Sequence, residues 1–104
     1  MRYNFQYRKY ERVEAGTTFE EILTPCENCT MEIAQISGTA PYNSSCHVEI
    51  LFGDDIIFTT HGDKTDNTGM MLHGSDGKSL TLRMINNSLT TETMGLSIIG
   101  NKSE

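Results

Sequence analysis

Cys26-Glu27-Asn28-Cys29 is the one motif in this chain whose spacing could hold a metal ion or cycle a disulfide. Two thiolates two residues apart can bind one zinc, with Cys46, His47, His61 or His73 available to complete a tetrahedron. Structural zinc sites carry a second paired element, and Cys46-His47 is a poor one, because adjacent strand residues point to opposite faces. A thioredoxin-like role needs a surrounding βαβ pattern, which is missing. Free thiols near a strand end are therefore expected, with Cys26 and Cys29 kept as the metal candidates and no metal assigned. Asp54-Asp55, Asp63 with Asp66, and Asp76 could bind calcium or act as an acid/base pair. Each sits with Gly or Asn in an expected turn, where Asp is favoured because its side chain bonds the local backbone. His47, His61 and His73 are dispersed, and no serine stands in a nucleophile-elbow context. No Gly-rich phosphate loop is present, and without Trp and with 8% aromatics the chain offers little stacking platform for sugars or single strands. Tyr42, in a long loop, keeps carbohydrate binding open. No catalytic residue and no cofactor are expected.

The elements that would position these residues are strands. Tyr3, Phe5 and Tyr7 alternate with Asn4, Gln6 and Arg8, the period of a strand or extended arm with one apolar face. Ala15-Gly16 breaks the pattern, and 17–23 reads as a short strand ended by Pro25, a helical turn from a Thr cap being the lesser alternative. Cys29 to Ile36 places Met31 and Ile33 on one face and Thr30 and Glu32 on the other. Residues 38–45, with Pro41 and Asn43, read as a loop. Cys46 to Phe52 and Asp55 to Thr60 form the central hairpin across Gly53-Asp54. His61 to Gly69 reads as a polar loop before the apolar run Met70-Met71-Leu72. The turn Gly74–Lys78 then leads into a strand over 79–85, the turn Asn86-Asn87-Ser88, a strand over 93–100 and a short polar tail over 101–104. About eight strands at intervals of roughly 8–12 residues, with no apolar stripe at helical spacing, specify an all-β, antiparallel sandwich of jelly-roll shape.

A length of 104 residues with 37% hydrophobic content gives one domain with a modest core and no room for a second. The net charge of -6, from 14 acidic and 8 basic residues, disfavours phosphate backbones and anionic lipid, so neither nucleic acid nor membrane is an expected partner. Arg2, Arg8, Lys9 and Arg12 are half of the basic residues, and they can steer the N-terminal segment onto an acidic surface. The first residues lack the apolar run of a signal peptide and no segment approaches the roughly 20 apolar residues of a membrane span, so a soluble chain made in a cytoplasm is expected. Three cysteines, an odd number, suit a reducing compartment. The sequons at Asn28, Asn43, Asn86 and Asn101 then reflect turn-rich composition.

Taken in order, Val13-Glu14-Ala15-Gly16, Thr24-Pro25, Met31-Glu32-Ile33-Ala34-Gln35-Ile36-Ser37-Gly38, Gly74-Ser75-Asp76-Gly77-Lys78-Ser79-Leu80-Thr81-Leu82-Arg83, Ile85-Asn86-Asn87-Ser88 and Ser97-Ile98-Ile99-Gly100 resemble the small jelly-roll virion proteins of tailed bacteriophages. The resemblance spans most of the chain and lies in its strand-and-turn grammar. It implies a non-enzymatic structural protein, a capsid cement or decoration subunit on the outer capsid surface. Such a subunit clamps neighbouring major capsid proteins, or another virion protein, as a homo-oligomer, commonly a trimer. Arg2, Tyr3, Phe5, Tyr7, Arg8, Tyr10 and Arg12 are the expected partner-binding residues, on an arm able to add an edge strand to a neighbour. The alternative reading makes that arm the first strand of its own sheet. The alternatives are a virion adhesion or carbohydrate-binding module using the loops around Tyr42 and Asp63–Asn67, and a small metal-binding β-domain.

Overall fold

Eight strands form among the described residues, most of them where apolar and polar side chains alternate: β1 (Arg2–Val13), β2 (Thr17–Leu23), β3 (Thr30–Thr39), β4 (Cys46–Phe52), β5 (Asp55–Thr60), β6 (Lys64–His73), β7 (Leu80–Asn86) and β8 (Glu92–Ser103). The computed structural model describes residues 2–43 and 45–104. Met1, at the start of the expected arm, and Ser44, in the expected 38–45 loop and the Asn43 sequon, lie outside the described residues. Two antiparallel sheets of four result, ordered β1-β8-β3-β6 and β2-β7-β4-β5. Every connection crosses between the sheets except the β4–β5 hairpin. The pairs β1–β8, β2–β7, β3–β6 and β4–β5 are nested about the Gly53-Asp54 turn, so the chain is one long hairpin rolled over on itself, the jelly roll.

The core lies between the central strands. Met31, Ile33 and Ile36 of β3 and Met94, Leu96 and Ile98 of β8 face Val48 and Ile50 of β4 and Leu80, Leu82 and Met84 of β7, all buried. Each such side chain contributes about 1.5–3 kcal/mol on leaving water. A β-bulge between Ile33 and Gln35 advances the alternation of β3 by one residue and keeps Ile36 turned inward. Connections β1–β2, β3–β4, β5–β6 and β7–β8 gather at one end of the sandwich. The other three gather at the opposite end with both chain termini, where Arg2 pairs with Ser103. The body measures 46 × 23 × 19 Å, elongated along its strands.

Two expectations are corrected, and a third, left open between two readings, is decided. The polar segment over 61–69 is largely strand: β6 begins at Lys64, and its polar side chains are satisfied across β3 by the pairs Gln35–Asn67 at 3.2 Å and Ser37–Thr65 at 3.1 Å. An edge strand needs no apolar outer face, because its backbone ladder is supplied by its neighbour. The tail over 101–104 is strand as far as Ser103, paired with both β1 and β3. The N-terminal segment is fully paired with β8 from Arg2 to Val13, so it is the first strand of its own sheet and not a free arm.

Candidate functional site

β1 is the edge strand of the first sheet, and its alternation divides the seven candidate residues between two faces. Phe5 and Tyr7 turn toward the seam between the sheets and pack on the core. Tyr7 Oη donates a hydrogen bond to Glu21 of β2, and Lys9 lies 5.6 Å from the Phe19 ring centre, so these contacts clasp the two sheets along their shared edge. Burial, and then the bond to Glu21, holds the Tyr7 phenol well above its ordinary pKa. Tyr3 has the same parity at the strand's start and donates to Glu104 at 3.3 Å, and the Glu104 charge raises its pKa. Three of the seven are thus committed to the protein's own packing or terminus.

The other four, Arg2, Arg8, Tyr10 and Arg12, point outward. Arg2 is paired with Glu32 at 3.5 Å. Arg8 and Arg12 have no acidic partner among the described residues. Between them Tyr10, 58% exposed, lies across Gly95 of β8, where any Cβ would overlap the ring. The glycine supplies a flat seat for the aromatic, which in turn covers backbone that glycine leaves bare. The result is an Arg-Tyr-Arg row on alternate residues of one face, next to the unpaired backbone edge of a twelve-residue strand. The pairing of β1 is unbroken, whereas β5 and β6, the edges on the far side, both meet their neighbours at register shifts. Bulges blunt an edge against further pairing, and β1 lacks one.

The chemistry-bearing residues do not converge. Cys26 and Cys29 are joined as a disulfide with Cα atoms 5.2 Å apart, which corrects the expectation of free thiols, and Cys46 is buried. Among the described residues no three His, Cys, Asp or Glu side chains are placed to hold a metal ion. The His47 and His61 rings meet at a tilt with centres 5.4 Å apart, and His61 Nδ1 lies 2.6 Å from the Cys46 carbonyl oxygen and is therefore its donor. His73 sits at the other end of the sandwich, beside Thr30. Asp66 pairs with Lys64 at 3.6 Å, while Asp76 belongs to the 3-10 turn Gly74–Asp76. On the outer face of the second sheet Arg83 bridges Glu20 at 2.8 Å and Glu49 at 3.5 Å, and its bond to Glu20 raises its pKa. Tyr42 does meet the β5–β6 connection, its ring against Gly62, but Asp66 and Asn67 lie on β6, with Asn67 bonded to Gln35. The loop pair proposed for glycan binding is thus divided between a loop and a sheet.

Two features escaped the sequence reading. One is Asn86, fully buried, which donates to Val13 O and Thr90 O at 2.8 Å each and accepts from the Ser88 amide, the Ser88 hydroxyl and the Cys46 thiol. The other is a groove of about 300 Å³ where the seam opens beyond Tyr7, lined by Phe5, Ile22, Leu23, Thr24, Pro25, Met31 and Lys102. Apolar residues at the ends of β1 and β2 were the available signal, but their convergence depends on how the sheets stack. No protein-family model matches this sequence, and no curated protein matches it.

Proposed function

We propose that this protein is a structural, non-enzymatic virion component, a phage capsid decoration subunit that clamps neighbouring major capsid proteins through the outer face of β1. The reading joins the resemblance to jelly-roll virion proteins with one observation, the Arg8-Tyr10-Arg12 row on an unblunted edge strand of an acidic chain. Arg and Tyr dominate interface energetics, and guanidinium groups without an acidic neighbour are available to carboxylates on a partner. An acidic extended segment could also continue the sheet by adding a strand to β1.

Binding of the purified protein to undecorated capsids tests the reading. Removing the first twelve residues would strip a strand from the sheet, so the informative variant is Arg8→Glu/Arg12→Glu, which alters only outward side chains. At least a tenfold loss of affinity is expected, equivalent to about 1.4 kcal/mol, together with a salt-sensitive association rate in the unmodified protein. Unchanged binding by the double variant would remove β1 from the interface, and failure of the unmodified protein to bind any capsid component would sink the virion reading.

A further inference from the structure

β1 leaves one side of its backbone unpaired over its 12 residues, and exposed apolar side chains gather around that edge. Four of the eight exposed large apolar side chains among the described residues lie there: Tyr3 and Tyr10 on β1, Ile99 beside Gln6 on β8, and Ile22 on the adjoining edge of β2. The other four are dispersed. Leu89 and Tyr42 stand on loops at the end of the sandwich where the Asn87 amide donates to the Ser45 carbonyl at 2.8 Å, and Ile56 and Met71 lie on the bulged far edges. A long edge without a bulge is a template for another strand. The sequence of β1 specifies which strand that is.

We infer that it is β1 of a second copy, paired antiparallel about a two-fold axis at Gln6. A two-fold perpendicular to the sheet keeps outward residues outward in both copies, so directly opposite residues share a face. Like charges directly opposite are destabilising, and this sorts the registers. Centring the pair on Arg8, Lys9, Glu11 or Arg12 sets that charge against its own copy. Centring on Phe5, Tyr7 or Tyr10 opposes Arg2 to Arg8, Arg2 to Arg12, or Arg8 to Arg12. Centring near either end, on Asn4 or earlier or on Val13, leaves at most Arg2 to Gln6 paired. Gln6 gives a long overlap, Arg2 to Tyr10, with no like charges opposed. Arg2, already paired with Glu32, faces Tyr10; Tyr3 faces Lys9, Asn4 faces Arg8, and Phe5 faces Tyr7. Gln6 meets its own copy, and its amide can both donate and accept.

The groups around the strand agree with this register. On the outward face, Asn4, Gln6 and Arg8 are backed by the uncharged Asn101, Ile99 and Ser97 of β8. On the seam side, Lys9 with its partner Glu11 comes to Tyr3 of the other copy, which has Lys102 beside it and Glu104 on its hydroxyl, two charges of each sign. Tyr7 bonds Glu21 and Phe5 lines a groove with Leu23, so the axis at Gln6 runs past Ile22, 57% exposed, while Glu21 falls level with Leu23 of the other copy. The Arg8-Tyr10-Arg12 rows stay outward, one on each side of the axis, so the inference goes beyond the virion reading without resting on it.

Sedimentation velocity on the purified full chain, from micromolar to millimolar concentration, supplies the test. The unmodified protein should pass from monomer to dimer and grow no further. Gln6→Lys and Gln6→Glu each alter an exposed side chain, and circular dichroism with thermal melting confirms that each variant folds. Either variant alone sets like charges at the axis and should weaken dimerisation by about fivefold or more. An equimolar mixture of the two should recover it, because opposite charges then meet, and only an axis at Gln6 brings these two side chains face to face. Arg8→Glu/Arg12→Glu opposes no charge in this register and should dimerise like the unmodified protein, which separates a failure here from a failure to bind capsids. A chain that stays monomeric throughout, growth beyond the dimer, a folded Gln6 variant that dimerises like the unmodified protein, a mixture that recovers nothing, or loss of the dimer in Arg8→Glu/Arg12→Glu would each overturn the inference.

Discussion

At the Leu89 end of the sandwich one side chain, Asn86, ties together the end of β1, the start of β4 and the β7–β8 loop. At the opposite end the connections are locked by backbone approach. The Gly74 amide donates to the Cys29 carbonyl at 2.8 Å, and the Gly53 amide donates to the Ser79 carbonyl at 3.0 Å. A Cβ at Gly74 would overlap the Cys26 carbonyl oxygen. The first end depends on the donors and acceptors of a single amide, and the second on the absence of a methyl group. Loops gathered by a side chain can vary in their outer residues while the hub stays, which suits an end that presents Leu89 and Tyr42. Loops gathered by backbone contact leave no such freedom, which suits an end that must keep the mouth of a groove in shape.

The most damaging way to break this comparison is Asn86→Ala. Both amide hydrogens and the carbonyl oxygen of Asn86 are used, and no buried side-chain polar atom among the described residues lacks a partner. Truncation strands the Val13 and Thr90 carbonyls and the Ser88 groups, and a loss of about 3–5 kcal/mol is expected, since each unsatisfied buried group costs about 1–3 kcal/mol. Urea unfolding followed by circular dichroism measures it, and a loss below about 1 kcal/mol would show that water replaces the amide and that the hub is not what organises this end.

Gly74→Ala addresses the other end, with a smaller expected loss of about 2–3 kcal/mol, because the Cys26–Cys29 turn must shift to admit the methyl group. If the two ends are independent, the losses in the double variant add to within about 0.5 kcal/mol. A larger coupling would mean that strain at one end reaches the other through β7, the strand that runs from the Gly74 turn to Asn86.

Much of this architecture is written in period-two alternation. β4 and β5 begin and end where the hairpin across Gly53-Asp54 places them, and β2 occupies the segment read as a short strand. Alternation is silent where burial does not select for it. β6 carries polar residues on its outer face, is bulged, and is held by a neighbour that no local pattern reveals. Asn86 was legible as a turn residue, because Asn favours turns, but a buried Asn and an exposed one are spelled alike. Leu89, among Ser88, Thr90 and Thr91, gave no periodic signal. The seven candidate residues of the first strand were visible as a set, and their division into a clasp and an outward row required the register with β8 and the position of β2.

The smallest expected effect sharpens what holds the Gly74 end. The Cys26–Cys29 bridge closes a loop of only four residues, and the chain-entropy model assigns such a loop about 2 kcal/mol at most. The same turn is also held by the Cys29 amide donating to the Cys26 carbonyl at 3.0 Å and by the Gly74 amide on the Cys29 carbonyl, contacts that do not depend on the sulfurs. Cys26→Ser, which leaves the buried Cys29 in place, should therefore cost less than Gly74→Ala, as should reduction of the unmodified protein with dithiothreitol. Parallel urea titrations of the three samples decide the order. If breaking the bridge costs more than adding the methyl group, the disulfide is the fastening at this end and the glycine contact merely follows it.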